Sequence, residues 1–340
     1  MANMDREKVS AYAIIYSSPF LCTIVILLSI SLGTMNISFQ EIYNAFFLFD
    51  PENVQQIIIR TARFPRAVGT LLIGGLLAMS GAMMQGMTRN YLASPSIMGV
   101  SDGAAFMITL AFVFFPSMTS VQMLALSFLG SALGVFLVLG LASVIKNGFS
   151  PLRLAIIGTV FGSFLSSLSS AIASYFQVSQ NMSFWYNARL HQLNNELLLL
   201  CIPLAIVGII MALSLSKSIA ILSLGKEVAT SLGQRTFIIQ MLTMVAVVVM
   251  TGISVSLAGK IGFVGLIIPH ITRMIVGVDY KKIIPCSGIL GGLFLVVCDT
   301  FSRFINYPFE SPIGIVTAFL GVPFFLYLIK TKGGGNEQRG

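Results

Sequence analysis

The sequence predicts an all-α polytopic membrane protein of about ten transmembrane helices, and three observations predict it. Of its 340 residues, 56% are hydrophobic. Only 9% are charged, against about 25% in a soluble domain. Six runs, at 12–32, 68–87, 121–145, 154–176, 197–215 and 237–257, contain no Asp, Glu, Lys or Arg. Each reaches the roughly 20 apolar residues that cross a bilayer core of about 30 Å.

Residues 1–11 are short and charged (Asp5, Arg6, Glu7, Lys8) and read as a cytoplasmic N-terminus. The run at 12–32 exceeds a signal-peptide core and no small-residue cleavage pattern follows it, so it is expected to be retained. Four further spans are less clean. Residues 97–115 hold Asp102 near their start, 261–278 hold His270 and Arg273, 284–300 end beside Asp299, and 312–329 close the membrane region. An even number places both termini on one side. Putting them inside leaves only Arg60, Arg63, Arg66, Arg189, Lys260 and Arg303 of the 20 basic residues outside, as the positive-inside rule requires.

The chain therefore reads as one transmembrane domain, 1–340, with its membrane region at 12–329 and a polar, Gly-rich tail at 330–340. The segment 216–236 is the longest inner connection. In the outer segment 33–59, Ser38 is placed to cap a short surface helix. In the outer segment 183–195, Trp185 and Tyr186 are placed as interfacial anchors. Spans 2–5 and 7–10 would run in opposite directions, as an inverted repeat does.

Several functions are excluded by what the chain lacks. The net charge of +8 is never concentrated in a basic run, so no nucleic-acid partner is expected. The four Cys residues lack paired spacing and read as small hydrophobes inside spans. No metal-binding HExxH occurs, and Gly225-Lys226 is followed by Glu227 rather than the Ser or Thr of a phosphate-binding loop. No metal or cofactor is expected on this chain, and no enzymatic activity of its own.

Three stretches carry specific information. The first runs from Arg63-Phe64-Pro65-Arg66 through Gly74-Gly75 and Ser80-Gly81 to Asn90-Tyr91-Leu92-Ala93-Ser94-Pro95. The second is Leu224-Gly225-Lys226-Glu227-Val228-Ala229-Thr230-Ser231-Leu232-Gly233. The third is Gly262-Phe263-Val264-Gly265 to Pro269-His270-Ile271-Thr272-Arg273, followed by Asp299, Arg303 and Glu310-Ser311-Pro312. In this order they resemble the FecCD family, permease subunits of binding-protein-dependent ABC importers for ferric siderophores, haem and cobalamin. Two departures stand out: the family usually has Asn-Pro where this chain has Asn90-Tyr91, and Gly-Ser where it has Asn187-Ala188.

The resemblance implies a multi-pass protein of the bacterial plasma membrane, a permease carrying a ferric siderophore. Haem or cobalamin is the alternative cargo. Its implied partners are a second permease subunit (self or paralogue), two ATPase subunits that bind ATP and Mg, and a substrate-binding lipoprotein outside. Arg63, Arg66 and Arg303 are implied to receive acidic residues of that lipoprotein. Leu224, Gly225, Lys226, Glu227, Val228, Ala229, Leu232 and Gly233 are implied to couple to the ATPase, with Ala229 in the packed contact. In the fifth span, Gly158 and Gly162 form a small-xxx-small pattern for close helix contact, while Ser166 and Ser170 can line a wet pathway. An ion-coupled secondary transporter is the competing class; it calls for buried carboxylates, and only Asp102 and Asp299 come near membrane depth.

Overall fold

The computed structural model describes residues 2–333 except 34, 147, 149, 188, 189, 307 and 308. Arg189, Ala188 and the tail beyond 333 lie outside the described residues. The helices are α1 Ala2–Ser31, α2 Phe39–Phe47, α3 Val54–Ile58, α4 Phe64–Thr88, α5 Val100–Phe114, α6 Ser120–Val144 and α7 Pro151–Tyr175. They continue with α8 Ser179–Tyr186, α9 Asn195–Leu222, α10 Lys226–Ser231, α11 Thr236–Ala258, α12 Val264–Val276, α13 Tyr280–Ser302 and α14 Ile313–Gly333.

Among the described residues, 7 helical stretches are long and apolar enough to cross a membrane. The six charge-free runs all fall in this set, and Tyr280–Ser302 joins them. Three shorter apolar helices, Val100–Phe114, Val264–Val276 and Ile313–Phe324, occupy the positions of the remaining expected spans. Two of these are short because the backbone breaks before they start. A 3₁₀ turn, Pro95–Met98, precedes α5. Before α12 the chain is irregular over 259–263, where Gly259 takes φ 74° and ψ −153°, a conformation open only to glycine.

Local chemistry sets the ends. Ser38 caps α2, its hydroxyl accepting from the Glu41 N–H at 3.2 Å, as the sequence predicts. Thr119 and Gln122 form a reciprocal capping box on α6. α9 runs on to Leu222, several residues past the expected end of its span, so the connection to α11 is shorter than the sequence suggests.

The centre of the molecule is packed backbone against backbone. α4 crosses α13 where a methyl group on Gly74 would overlap the Gly291 carbonyl. Gly75 faces the Gly288 carbonyl, 3.0 Å from where its Cβ would sit. α4 also meets α12 through Gly81 and Gly265, and α5 meets α6 through Gly103, Gly130 and Gly134. Small residues let membrane helices approach this closely, where association depends on packing rather than on the expulsion of water. α8 folds back on the bundle, burying Trp185 in a cluster with Ala104, Ala105, Ile108 and Val255. The expected interfacial anchor is therefore a core residue, because its ring meets α5 and α11 before it can reach a headgroup layer.

Candidate functional site

At the end of the bundle where α4 begins, a π-helical turn, Ile59–Arg63, joins α3 to α4. Such turns re-aim side chains at the cost of regular hydrogen bonds. Here they send Arg60 and Arg63 to the ends of other helices. Arg60 donates from Nε to the Ala45 carbonyl in the last turn of α2, and its guanidinium lies 4.0 Å from the Phe49 ring centre. Arg63 donates to the carbonyls of Ile30, Ser31 and Met35. Arg303 reaches the same place, donating to the carbonyls of Ser29 and Leu32 at 2.7 and 3.1 Å. The C-terminal end of α1 thus receives two guanidinium groups, which satisfy carbonyls without helical partners and offset the negative end of the helix dipole.

Arg66 behaves differently. Its Nε and Nη2 donate to the Asp299 carboxylate, at 3.1 and 2.7 Å, and its Nη1 donates to both Glu310 oxygens at 2.9 and 2.8 Å. Asp299 is fully buried and also accepts from Arg303. The result is a buried Arg66–Asp299–Arg303 triad whose surface edge is the Arg66–Glu310 pair, where the Glu310 side chain is 37% exposed. A cavity of about 240 Å³ opens beside it, lined by Arg66, His191, Asp299, Glu310 and Phe184 among others.

The docking expectation is corrected here for Arg303, whose side chain is 4% exposed and cannot meet a partner. Arg63 is partly exposed, but its guanidinium is committed to α1. Arg66, its side chain 12% exposed, shares its outward edge with Glu310, while Arg63 is the more exposed of the two.

α7 lies at the periphery of the bundle, against α5 and α6. Thr159, Ser163, Ser167, Ser170 and Ser174 are exposed, spaced three or four apart, and so form one hydroxyl stripe. Ser170 lies in it and donates back to the Ser166 carbonyl at 2.9 Å; Ser166 is half-buried beside it. Gly158 and Gly162 are buried. A Cβ on Gly162 would lie 2.6 Å from Oδ2 of Asp102, so the close contact it permits is with α5 of the same chain. The close helix contact expected of Gly162 is therefore made within the chain. Asp102 in turn pairs with Lys260 at 3.3 Å.

At the opposite end, Gly225 (φ 134°) starts the short helix α10. Ala229 is wholly buried within this chain, its N–H bonded to the Gly225 carbonyl and its carbonyl accepting from the Gln234 N–H. The expected packed contact of Ala229 with a partner is therefore overturned: its methyl group faces inward. Leu224, Val228 and Leu232 are 67%, 44% and 65% exposed, four residues apart, and present an apolar stripe outward. Lys226, Glu227 and Gly233 are exposed around it. A cavity of about 720 Å³ adjoins, lined by Arg89, Lys146, Lys226, Gln240 and Phe237 among others.

Near this end Arg273 locks α12 to its neighbours. Its Nη2 donates to Gln85 Oε1 at 3.0 Å and to the Tyr280 hydroxyl at 3.2 Å, with its guanidinium between the rings of Tyr91 and Tyr280. His270 is buried, its ring centre 6.1 Å from that of Phe324 in an edge-on arrangement. No group of three or more His, Cys, Asp or Glu side chains able to hold a metal occurs among the described residues.

Residues 21–331 match the model of the FecCD transport family. The chain is 57% identical to the iron-uptake system permease protein FeuB of Bacillus subtilis, over 96% of this chain and 97% of that protein. It is 44% identical to the iron(3+)-hydroxamate import system permease protein FhuB of the same organism, over 92% of this chain and 80% of that protein. A solved metal-chelate type ABC transporter in an inward-facing conformation superposes with a TM-score of 0.82 at 29% identity, covering 94% of this chain and 99% of that one. The chain belongs to the FecCD transport family.

Proposed function

We propose that this chain is the permease subunit of an ABC importer that carries a ferric chelate of the siderophore class across the bacterial plasma membrane. The observation that carries the reading is the identity to an iron-uptake permease over nearly the full length of both chains. In this reading the seven long and three shorter apolar helices make ten spans, with both termini and α10 in the cytoplasm and the Arg66–Glu310 edge outside. The chain forms half of a pore with a second permease, a copy of itself or a paralogue. Two ATPase subunits, holding ATP and Mg, bind the inner face, and a binding lipoprotein delivers the chelate to the outer face.

Two exposed surfaces support this reading. The exposed stripe Leu224–Val228–Leu232 offers a helical partner groove the apolar side chains it needs, with Lys226 and Glu227 at the rim. The hydroxyl stripe of α7 is wasteful against lipid and suits a wet pathway between two permeases. The test is uptake of radioactive iron chelate into vesicles containing the permease with its ATPase and binding protein. ATP-dependent uptake is expected. Uptake by the permease alone, driven by an ion gradient, would instead establish a secondary transporter.

A further inference from the structure

Lys260 stands on the irregular link between α11 and α12, and its Nζ lies 3.3 Å from Asp102 Oδ1. The height of this pair follows from its neighbours. The other Asp102 oxygen abuts Gly162, near the middle of α7, and the next residue, Gly103, abuts Gly130 and Gly134, near the middle of α6. At 1.5 Å per residue the pair is about 18 Å from either end of α7, so Lys260 sits at mid-height and not among the outer basic residues where the sequence sets it. The Lys260 side chain is nevertheless 49% exposed on the surface of the isolated chain.

A cation half-exposed at this height does not face acyl chains, where the cost of burying charge is high. Nor does a four-carbon stem reach a headgroup layer about 15 Å away. On α7, Ser163, next to Gly162 in sequence, is exposed and belongs to the hydroxyl stripe, with Val160 and Phe164 exposed beside it. Asp102 occupies one of the three ammonium donors and leaves two to point outward.

We propose that Lys260, oriented by Asp102, is an anion contact at mid-height in the translocation pathway, taking the oxyanion rim of a metal chelate: carboxylate, catecholate or hydroxamate oxygens. The proposal rests on the importer reading above. The Asp102 carboxylate offsets part of the ammonium charge, so the contact guides an anion without trapping it, as passage through a pore requires.

The test uses a reporter thiol, Ser163→Cys, in the permease assembled with its ATPase and binding protein in vesicles. The probes are two membrane-impermeant methanethiosulfonates, one carrying a sulfonate and one a trimethylammonium group, with labelling of the parent protein subtracted. The thiol is expected to react from water, and Lys260→Gln is expected to lower the anionic-to-cationic rate ratio about fivefold, with Lys260→Arg retaining it. A thiol that stays unreactive in every nucleotide state, or a ratio unchanged by Lys260→Gln, overturns the proposal. Retention of the ATPase through purification verifies assembly of each variant. Absence of ATP-driven uptake by the unmodified protein would instead defeat the importer reading, and leaves the labelling result to be judged on its own.

Discussion

The guanidinium carbon of Arg273 lies 3.9 Å from the ring centre of Tyr91, at the position where the FecCD pattern usually has the proline of Asn-Pro. The aromatic ring covers one face of the arginine, whose Nη2 bonds Gln85 on α4 and Tyr280 on α13. The chain's departure from the pattern is thus absorbed by a stacking contact that secures the end of α12. Tyr91→Ala is expected to lose roughly 0.5–2 kcal/mol of stability, with Tyr91→Phe close to wild type. Thermal unfolding in detergent measures both.

The Arg66–Asp299–Arg303 triad is expected to behave as structure. Asp299→Ala leaves two guanidinium groups facing each other at a buried site, at a cost of about 3–5 kcal/mol. The expected result is poor recovery of folded protein by size-exclusion chromatography. Arg303→Ala should act through stability too, without selectively weakening the affinity of a binding protein for the recovered fraction.

Glu310 tests docking more cleanly than any arginine does. It is the exposed partner of Arg66, so Glu310→Gln frees one edge of that guanidinium while Asp299 still holds the other. If a partner carboxylate docks there, Glu310→Gln should tighten its binding severalfold at low salt and lose that gain at high salt. Surface-plasmon titration of the immobilised permease with the binding protein gives the answer; an unchanged affinity at both salt concentrations moves docking elsewhere.

The α10 stripe separates folding from coupling. Val228→Asp places a charge on an exposed apolar contact and should weaken ATPase binding by at least about 2 kcal/mol, or roughly thirtyfold, with the permease still folded. Ala229→Asp, by contrast, buries the charge inside this chain and should reduce the yield of the permease itself. Pull-down of the ATPase, normalised to monodisperse permease, distinguishes the two. Equal behaviour of both variants would place the contact away from α10.

Much of this was legible in the amino-acid order. Six long apolar runs became six crossing helices because a charge-free stretch in a membrane has few alternatives to helix. The irregular backbone before α5 and α12 falls at the edges of the expected spans 97–115 and 261–278, which begin within three residues of Val100 and Val264. The sequence did not tell inward from outward. Ala229 and Gly162 occupy positions that suit close packing, and both pack, but against their own chain. The arginines at the α4 end were read as an offer of charge to a partner. Arg60, Arg63 and Arg303 instead answer the carbonyl ends of α1 and α2, a demand that arises only once those helices are placed beside them.

The glycine crossings fix what can move. Where Gly74 meets Gly291 and Gly81 meets Gly265, α4 touches α13 and α12 with no side chain between the backbones. A cushion is what permits two helices to slide or tilt by small rotamer changes; bare backbones seize instead. These three helices form a chassis, and any cycle of opening must be carried by parts bolted to it. α7, with its exposed hydroxyl stripe, and the irregular links before α5 and α12 lie outside those glycine contacts.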